Sequence, residues 1–277
     1  MSRRRFHRTL GFLLLCGCLS TFSACRGGKN DAWLQPISKA LFPPSLAEAS
    51  RDAFNVYDAD VRRESICFLS AAPEGGQSPY VRMYRILAED PDSSVRAAAI
   101  HALGLHGTAE DVPLILQYTQ DPAPYVRGEA AQALQKLHHE KAPASLVKIV
   151  REDEDIDARI AASSALGQYP QPHVFDTLVG ALDDQDFGVV ESSRRSLVTL
   201  TGQPFSFDAT AWLEWSKQHP DHLFDNHKPY TWQPWPTPRS WWQRVFFPRW
   251  IPTPPAARTP AGLSQSSDAD SSSTTTQ

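Results

Sequence analysis

The sequence predicts an all-α protein, an α-solenoid of helical hairpins stacked in single file. Two observations predict it: a repeat through the middle of the chain, and a helical spacing of apolar residues inside each copy. Four anchor positions lie 31, 32 and 31 residues apart, at Val95, Val126, Ala158 and Val189. A leucine follows each anchor eight residues later. Four copies in phase indicate one repeating architecture.

Each copy contains two helices. In the copy that begins at Asp90, small or apolar residues fall on one helical face, with none of the alternation of a strand. These residues are Val95, Ala98, Ala99, Ala102 and Leu103. The second helices are predicted at residues 80–88, 112–118, 144–150 and 174–182. One pair cannot bury its apolar face alone, so neighbouring pairs must stack.

Start and stop signals flank the predicted helices. Asp90 and Asp121, each followed by proline, precede two of them, and we expect their carboxylates to cap free N–H groups. Gly104 and Gly167 fall near helix ends, where a left-handed residue is common. Alanines on the contacting faces of the helices allow the two helices to approach each other closely.

A family resemblance follows from the block at residues 90–104, which reads DPDSSVRAAAIHALG. The order Asp-Pro, Val-Arg, Ala-Ala and Ala-Leu-Gly resembles the short HEAT-like repeat shared with phycobilisome lyase-type proteins. The resemblance covers about residues 45–200 and implies an armadillo-type superhelix. The motif residues are structural, so the resemblance implies no activity.

An arginine recurs at one position of the repeat, as Arg62, Arg96, Arg127 and Arg159. We interpret these arginines as a ladder that pairs with acids of adjacent turns. The alternative is a basic stripe that binds a ligand.

The repeat character fades after residue 200. Residues 201–225 are predicted to form a capping segment with one helix that begins after Asp208. They resemble the closing segment of some bacterial HEAT-like proteins. We expect four aromatic residues to cover the open end of the last repeat, although a binding site is the alternative: Phe205, Phe207, Trp212 and Trp215.

A strip rich in proline and tryptophan follows at residues 226–252, and residues 253–277 are predicted to be a disordered tail. Two interpretations of the strip remain open. It packs back along the solenoid, or it stays available for a membrane interface or a partner. The candidate partner-binding residues are Trp232, Trp235, Trp241, Trp242, Arg244 and Trp250.

The N-terminus is predicted to be an export signal. Residues 1–24 combine four arginines with a short apolar run and small residues, which is typical of a signal peptide. Cys25 after Phe22-Ser23-Ala24 resembles a lipobox cysteine and is the predicted lipidation site, with residues 25–44 as a linker. Cys18, plain cleavage and an uncleaved anchor are the alternatives. The residues SRRRFHR also resemble a twin-arginine motif, although an ordinary basic n-region explains them.

Charge and cysteine content exclude some classes. The net charge is −4, and removal of a leader with four arginines would make it −8, which argues against a nucleic-acid partner. Apart from Cys25, Cys67 would be the only cysteine left, so no disulfide framework is expected. Cys67 lies in a helical pattern and is expected to be a buried small hydrophobe.

Motifs for catalysis are absent from the sequence after the leader. His139-Glu140 is the only His-Glu pair of the kind that the HEAT-like enzyme deoxyhypusine hydroxylase repeats to bind iron. A second metal-type group lies in a proline-rich connection and comprises His219, Asp221, His222, Asp225 and His227. Neither spacing matches a known metal site, so we predict no metal and no cofactor.

These observations favour a non-catalytic, lipid-anchored scaffold that binds a protein or peptide through its solenoid surface. The predicted location is the cell envelope, on a membrane facing the periplasm or the exterior. The alternative is a HEAT-like enzyme or metal-dependent accessory factor of lyase or oxidoreductase type. A third interpretation is a structural protein whose tryptophan-rich strip binds the bilayer.

Overall fold

The computed structural model describes residues 44–233 and 256–263. Within these ranges the chain forms eleven α-helices and no β-strand, so the predicted all-α class is confirmed. The helices are α1 Leu46–Asp52, α2 Ala59–Ala71, α3 Ser78–Leu87, α4 Ser93–His106, α5 Val112–Gln117, α6 Pro124–Lys136, α7 Ala142–Glu152, α8 Ile156–Leu166, α9 Pro172–Gly180, α10 Phe187–Thr201 and α11 Ala209–Gln218. Short 3₁₀ turns precede α5 and follow α5 and α9.

The described residues from Glu48 onward belong to one compact unit, and residues 44–47 fall in the preceding one. The second unit contains the helix array. None of the helices in the described ranges has the length and apolarity needed to cross a membrane.

The helices of the second unit alternate between two rows. Row A consists of α3, α5, α7 and α9, and row B consists of α2, α4, α6, α8 and α10. Each row B helix packs against the next one, and each hairpin joins one helix of each row. This arrangement is the predicted α-solenoid of HEAT-like hairpins.

Row B is held together by small residues. Val95, Ala99 and Leu103 of α4 are fully buried. A Cβ atom added to Gly104 would lie 2.8 Å from Cα of Ala133 in α6, closer than real side chains allow. Gly104 lies inside α4 and allows α4 and α6 to pack closely. The prediction of a left-handed residue at this position is wrong. Gly167 is also right-handed, with φ of −60°.

Aspartates cap most row B helices, but not always at the predicted position. The carboxylates of Asp58, Asp92, Asp155 and Asp186 accept N–H groups of the first turn. Helix α6 begins instead with a proline at its first position and has no side-chain cap. The prediction that Asp90 and Asp121 are the caps is wrong, because both precede the cap position by two residues.

Helix α11 closes the array. Trp212 is fully buried, and its ring meets Phe175 of α9 edge-on at 6.5 Å and Phe205 at 5.1 Å. Trp215 packs beside Phe205, and Phe207 lies 5.6 Å from Phe187 at the start of α10. Trp212 and Phe207 therefore contact the last hairpin, as expected of a cap, and Phe205 and Trp215 pack within the capping segment.

Candidate partner-binding surfaces

A ladder of ion pairs runs along the N-terminal ends of the row B helices. Its members are Arg62–Asp90, Arg96–Asp121, Arg127–Asp153 and Arg159–Asp184. In each pair, Nε and one terminal nitrogen of the arginine donate to the two carboxylate oxygens, at 2.6–3.1 Å. Each arginine reaches the loop that precedes the next row B helix. The predicted stacking ladder is confirmed.

Every rung also binds the backbone. The second terminal nitrogen of Arg127 donates to the carbonyl of Asp121 at 2.9 Å, so one side chain connects two successive loops. The carboxylate of Asp153 accepts the N–H of Asp155 at 2.9 Å. Arg96 and Arg159 repeat the carbonyl contact in their own hairpins. The ladder is therefore a continuous chain of hydrogen bonds from one hairpin to the next.

The arginine and the aspartate of each ion pair are largely buried, so each charge depends on the other for compensation. The side chain of Arg127 is 18% exposed and that of Asp153 is 6% exposed. Burial alone would raise the pKa of Asp153, but hydrogen bonds from Arg127 and from the N–H of Asp155 lower it below its ordinary value. The pKa of Asp184 is lowered in the same way, against burial, by Arg159. Because these guanidinium groups are already paired, the alternative of a ligand-binding basic stripe has no support here.

The ladder ends where the sequence changes. Val190 stands in α10 at the position that arginine occupies in the earlier repeats, and it is buried. The pair between Arg159 and Asp184 is therefore the last of the ladder, and the capping segment follows it in the chain.

Large apolar side chains lie exposed beside the ladder, and we name them the apolar edge. They are Tyr125, Ile156 and Phe187. Tyr125 begins α6 and hydrogen bonds through its hydroxyl to Ser93 of α4. Phe187 is 68% exposed although it begins a well-packed helix. Successive hairpins thus present one apolar group each, at a spacing that the ladder fixes.

The apolar edge lies outside the residues that the repeat pattern singles out. Its members precede the buried anchors by one or two residues, outside the buried face of each helix. An earlier repeat has Ser93 just before its anchor. An apolar residue at this position in the later repeats is the sequence signal that indicates the apolar edge.

The opposite edge, at the C-terminal ends of the row B helices, is covered by later parts of the chain. We name residues 226–233 and 256–263 the returning segment. Tyr230 is buried in it, donates to the carbonyl of Ser164 at 2.7 Å and accepts from Gln135 at 2.9 Å. Burial raises the pKa of Tyr230 well above its ordinary value, so the hydroxyl keeps its proton. The N–H of Lys228 donates to the carbonyl of Thr199 at 2.7 Å.

Two short backbone bridges complete the returning segment. Trp232 and Arg258 exchange N–H to carbonyl hydrogen bonds of 2.8 and 2.9 Å. Ala261 pairs with the end of α6, donating to Lys136 and accepting from His138. Residues 256–263 are therefore ordered against the solenoid, which differs from the disorder expected after residue 253. Their backbone groups form hydrogen bonds at the C-terminal end of α6. Amino-acid composition does not reveal such a long-range contact.

A cleft of about 500 Å³ lies between α10 and the returning segment. Its walls include Ser192, Arg194, Arg195, Lys228, Tyr230 and Trp232. Of the six residues predicted to bind a partner, Trp232 lies within the described ranges. Cys25, Trp235, Trp241, Trp242, Arg244 and Trp250 lie outside the described residues.

The candidate metal residues are not assembled into a site. Nδ1 of His222 lies 2.6 Å from the Asp225 carboxylate, and the His219 ring stacks on Trp215. His139 accepts the N–H of Lys141. Within the described residues, no three His, Cys, Asp or Glu side chains are placed to hold a metal ion.

Cys67 is exposed, so the prediction of a buried hydrophobe is wrong. The buried face of α2 contains Ser65, Ile66, Leu69 and Ser70. Cys67 lies just outside it, where the side chain faces solvent.

Comparison with known proteins supports the repeat architecture. Residues 82–166 match the profile of HEAT repeats. This match agrees with the resemblance found in the block at residues 90–104. No curated protein is significantly similar in sequence to this chain.

Several solved structures align with the chain. YibA of Escherichia coli aligns with a TM-score of 0.47 and 17% identity, over 79% of this chain and 100% of its own. A designed armadillo repeat protein gives 0.46 and 16%, over 66% and 96%. The complex of CpcE and CpcF of phycocyanin lyase from Nostoc gives 0.37 and 18%, over 56% and 77%. We transfer no function from these alignments.

Proposed function

We propose that the protein is a non-catalytic, lipid-anchored scaffold of the cell envelope that binds a protein or peptide partner through its solenoid surface. The observation that carries this proposal is the apolar edge. Large exposed side chains at the centre of an interface commonly supply much of its binding energy. Here they project from successive hairpins that are held in register by the ladder, so little conformational freedom would be lost on binding.

The anchor is proposed from the leader. Residues 1–24 would direct export, and lipid on Cys25 would hold the chain at a membrane facing the periplasm or the exterior. Residues 25–44 would then connect the anchor to the solenoid. The tryptophans of residues 226–252 would add aromatic contacts to the partner.

Site-specific crosslinking in intact cells tests the binding surface. A photo-reactive amino acid replaces Phe187 on the apolar edge, and in a matched control it replaces Ile86, which is 62% exposed on row A. We expect a discrete adduct from position 187 and none from position 86. Adducts of equal yield from both positions, or none from either, would contradict the proposed surface.

Fractionation tests the anchor separately. The Cys25→Ser variant should move from the membrane pellet to the soluble fraction, whereas Cys18→Ser should stay in the pellet. Retention of the Cys25→Ser variant in the pellet would remove the lipid anchor at that residue from the proposal.

A further inference from the structure

The cleft beside Trp232 has a charge opposite to that of the whole chain. The protein has a net charge of −4, yet Arg194, Arg195 and Lys228 all line this cleft. Lys136 and Arg258 do not line the cleft, but each lies over the ring of Trp232, 5.6 and 6.0 Å from its centroid. We name this feature the cationic cleft.

Two carboxylates face these cations. Glu191 accepts from Nε and a terminal nitrogen of Arg194, at 2.9 and 3.1 Å, and from Nε of Arg195 at 2.7 Å. Glu129 acts on Lys136 at longer range and is itself bound to His101. The positive charges therefore outnumber the negative ones around the cleft.

The arginines retain donors for another acceptor. A guanidinium group has five N–H bonds, and Arg195 commits only Nε to Glu191. Its side chain is 73% exposed, and Lys228 is exposed on the facing wall. Both groups can thus reach a ligand that enters from solvent.

The hydroxyl groups of the floor are already satisfied. Oγ of Ser192 lies 2.7 Å from Oγ of Ser164 and donates to the carbonyl of Ile160. The Tyr230 hydroxyl donates to Ser164. These two hydroxyl groups are therefore already committed, and we expect a ligand to contact the charged groups and Trp232.

Size indicates the kind of ligand. A volume of about 500 Å³ lies within the range of about 300–1,000 Å³ typical of ligand pockets and far exceeds one oxyanion. The cleft is open to solvent, so a segment of another chain can enter it.

We propose that the cationic cleft binds an acidic peptide segment of a partner protein, with its carboxylates at Arg195 and Lys228 and its chain against Trp232. Guanidinium groups bind carboxylates in paired geometry, as Glu191 and Arg194 already do. None of Tyr125, Ile156 and Phe187 lines the cleft, so this proposal goes beyond the scaffold function and does not depend on it.

Titration calorimetry of the full-length chain in detergent, at low salt, tests this proposal with hexaglutamate as the probe. We expect saturable binding of hexaglutamate and none of hexalysine. Arg195→Ser and Lys228→Ser should each weaken binding about threefold, and the double variant about tenfold. The matched control is Lys217→Ser, which removes the same charge from exposed α11 and should leave binding unchanged.

Four results would overturn the proposal. They are no binding of hexaglutamate, no effect of the cleft variants, an equal loss in Lys217→Ser, and binding of phosphatidylglycerol vesicles in place of the peptide. Far-UV circular dichroism of each variant confirms that the helices are intact. A failure here leaves the crosslinking result at Phe187 untouched, so the two proposals can fail separately.

Discussion

The two edges of the row B helices are stabilised in different ways. At the N-terminal ends, each hairpin binds the next through the same arginine, the same aspartate and the same backbone carbonyl. At the C-terminal ends, the contacts come from a segment up to 125 residues away in sequence, as between Lys136 and Ala261. The first edge is periodic and belongs to the repeat, whereas the second is used once.

This difference shows which interactions specify the array. A rung that recurs in four hairpins sets the spacing of neighbours wherever the repeat occurs. The returning segment contacts an array that is already in register. We therefore expect changes in the ladder to reduce stability more than changes in the returning segment.

The largest expected effect comes from the ladder. Arg127→Ala leaves the Asp153 carboxylate, which is 6% exposed, without its partner, and breaking such a buried pair costs about 3–5 kcal/mol. Urea denaturation followed by circular dichroism measures the loss. In the control Arg63→Ala, whose partner Asp60 is 79% exposed, the loss should stay below about 1 kcal/mol. Similar losses in both variants would show that the ladder contributes no more than a surface pair.

A smaller effect is expected from helix packing beneath the ladder. Gly104→Ala places a methyl group 2.8 Å from Cα of Ala133, so α4 and α6 must move apart at a cost of about 1–3 kcal/mol. Gly180→Ala is the matched control, because nothing lies within 4 Å of its added Cβ. Alanine is the better helix former, so this control should be neutral or stabilising by up to about 1 kcal/mol. Thermal unfolding compares the two, and equal shifts would contradict the close approach.

The returning segment should contribute less per hydrogen bond. Tyr230→Phe keeps the ring and removes the hydroxyl that links Ser164 and Gln135, which should cost about 1–2 kcal/mol. Chemical denaturation gives the value. No loss of stability would mean that this contact does not hold the segment against the helices.

The smallest effect concerns pH. Hydrogen bonds from Arg194, with further pairing to Arg195, lower the pKa of Glu191 to about 2 from an ordinary value of 4.5. Its stabilisation is therefore complete above pH 4.5 and is lost as the pH falls towards 2. The free energy of unfolding should decline across this window by about 1 kcal/mol on account of Glu191, discounted for solvent exposure. Glu191→Gln should flatten that decline, and an unchanged slope would rule out this origin.

The periodic edge could be predicted from the sequence, whereas the other could not. The recurrence of Arg96 and Arg127 at a fixed distance from the anchors is a local signal, and it predicted the ladder. Their partners Asp121 and Asp153 cannot be identified in this way, because a carboxylate before a helix can either cap it or pair with an arginine. The places of Tyr230 and Ala261 depend on contacts across 66 or more residues, which leave no period in the sequence.

A chain that ends at residue 225 tests most directly whether the periodic contacts specify the array. This variant lacks the returning segment but keeps every hairpin and the cap at Trp212. Circular dichroism with urea denaturation should find the same helical signal per residue of the array and one cooperative transition, at reduced stability. Loss of the helical signal, or of cooperative unfolding, would contradict the account. It would show that the array needs the residues after 225 in order to fold.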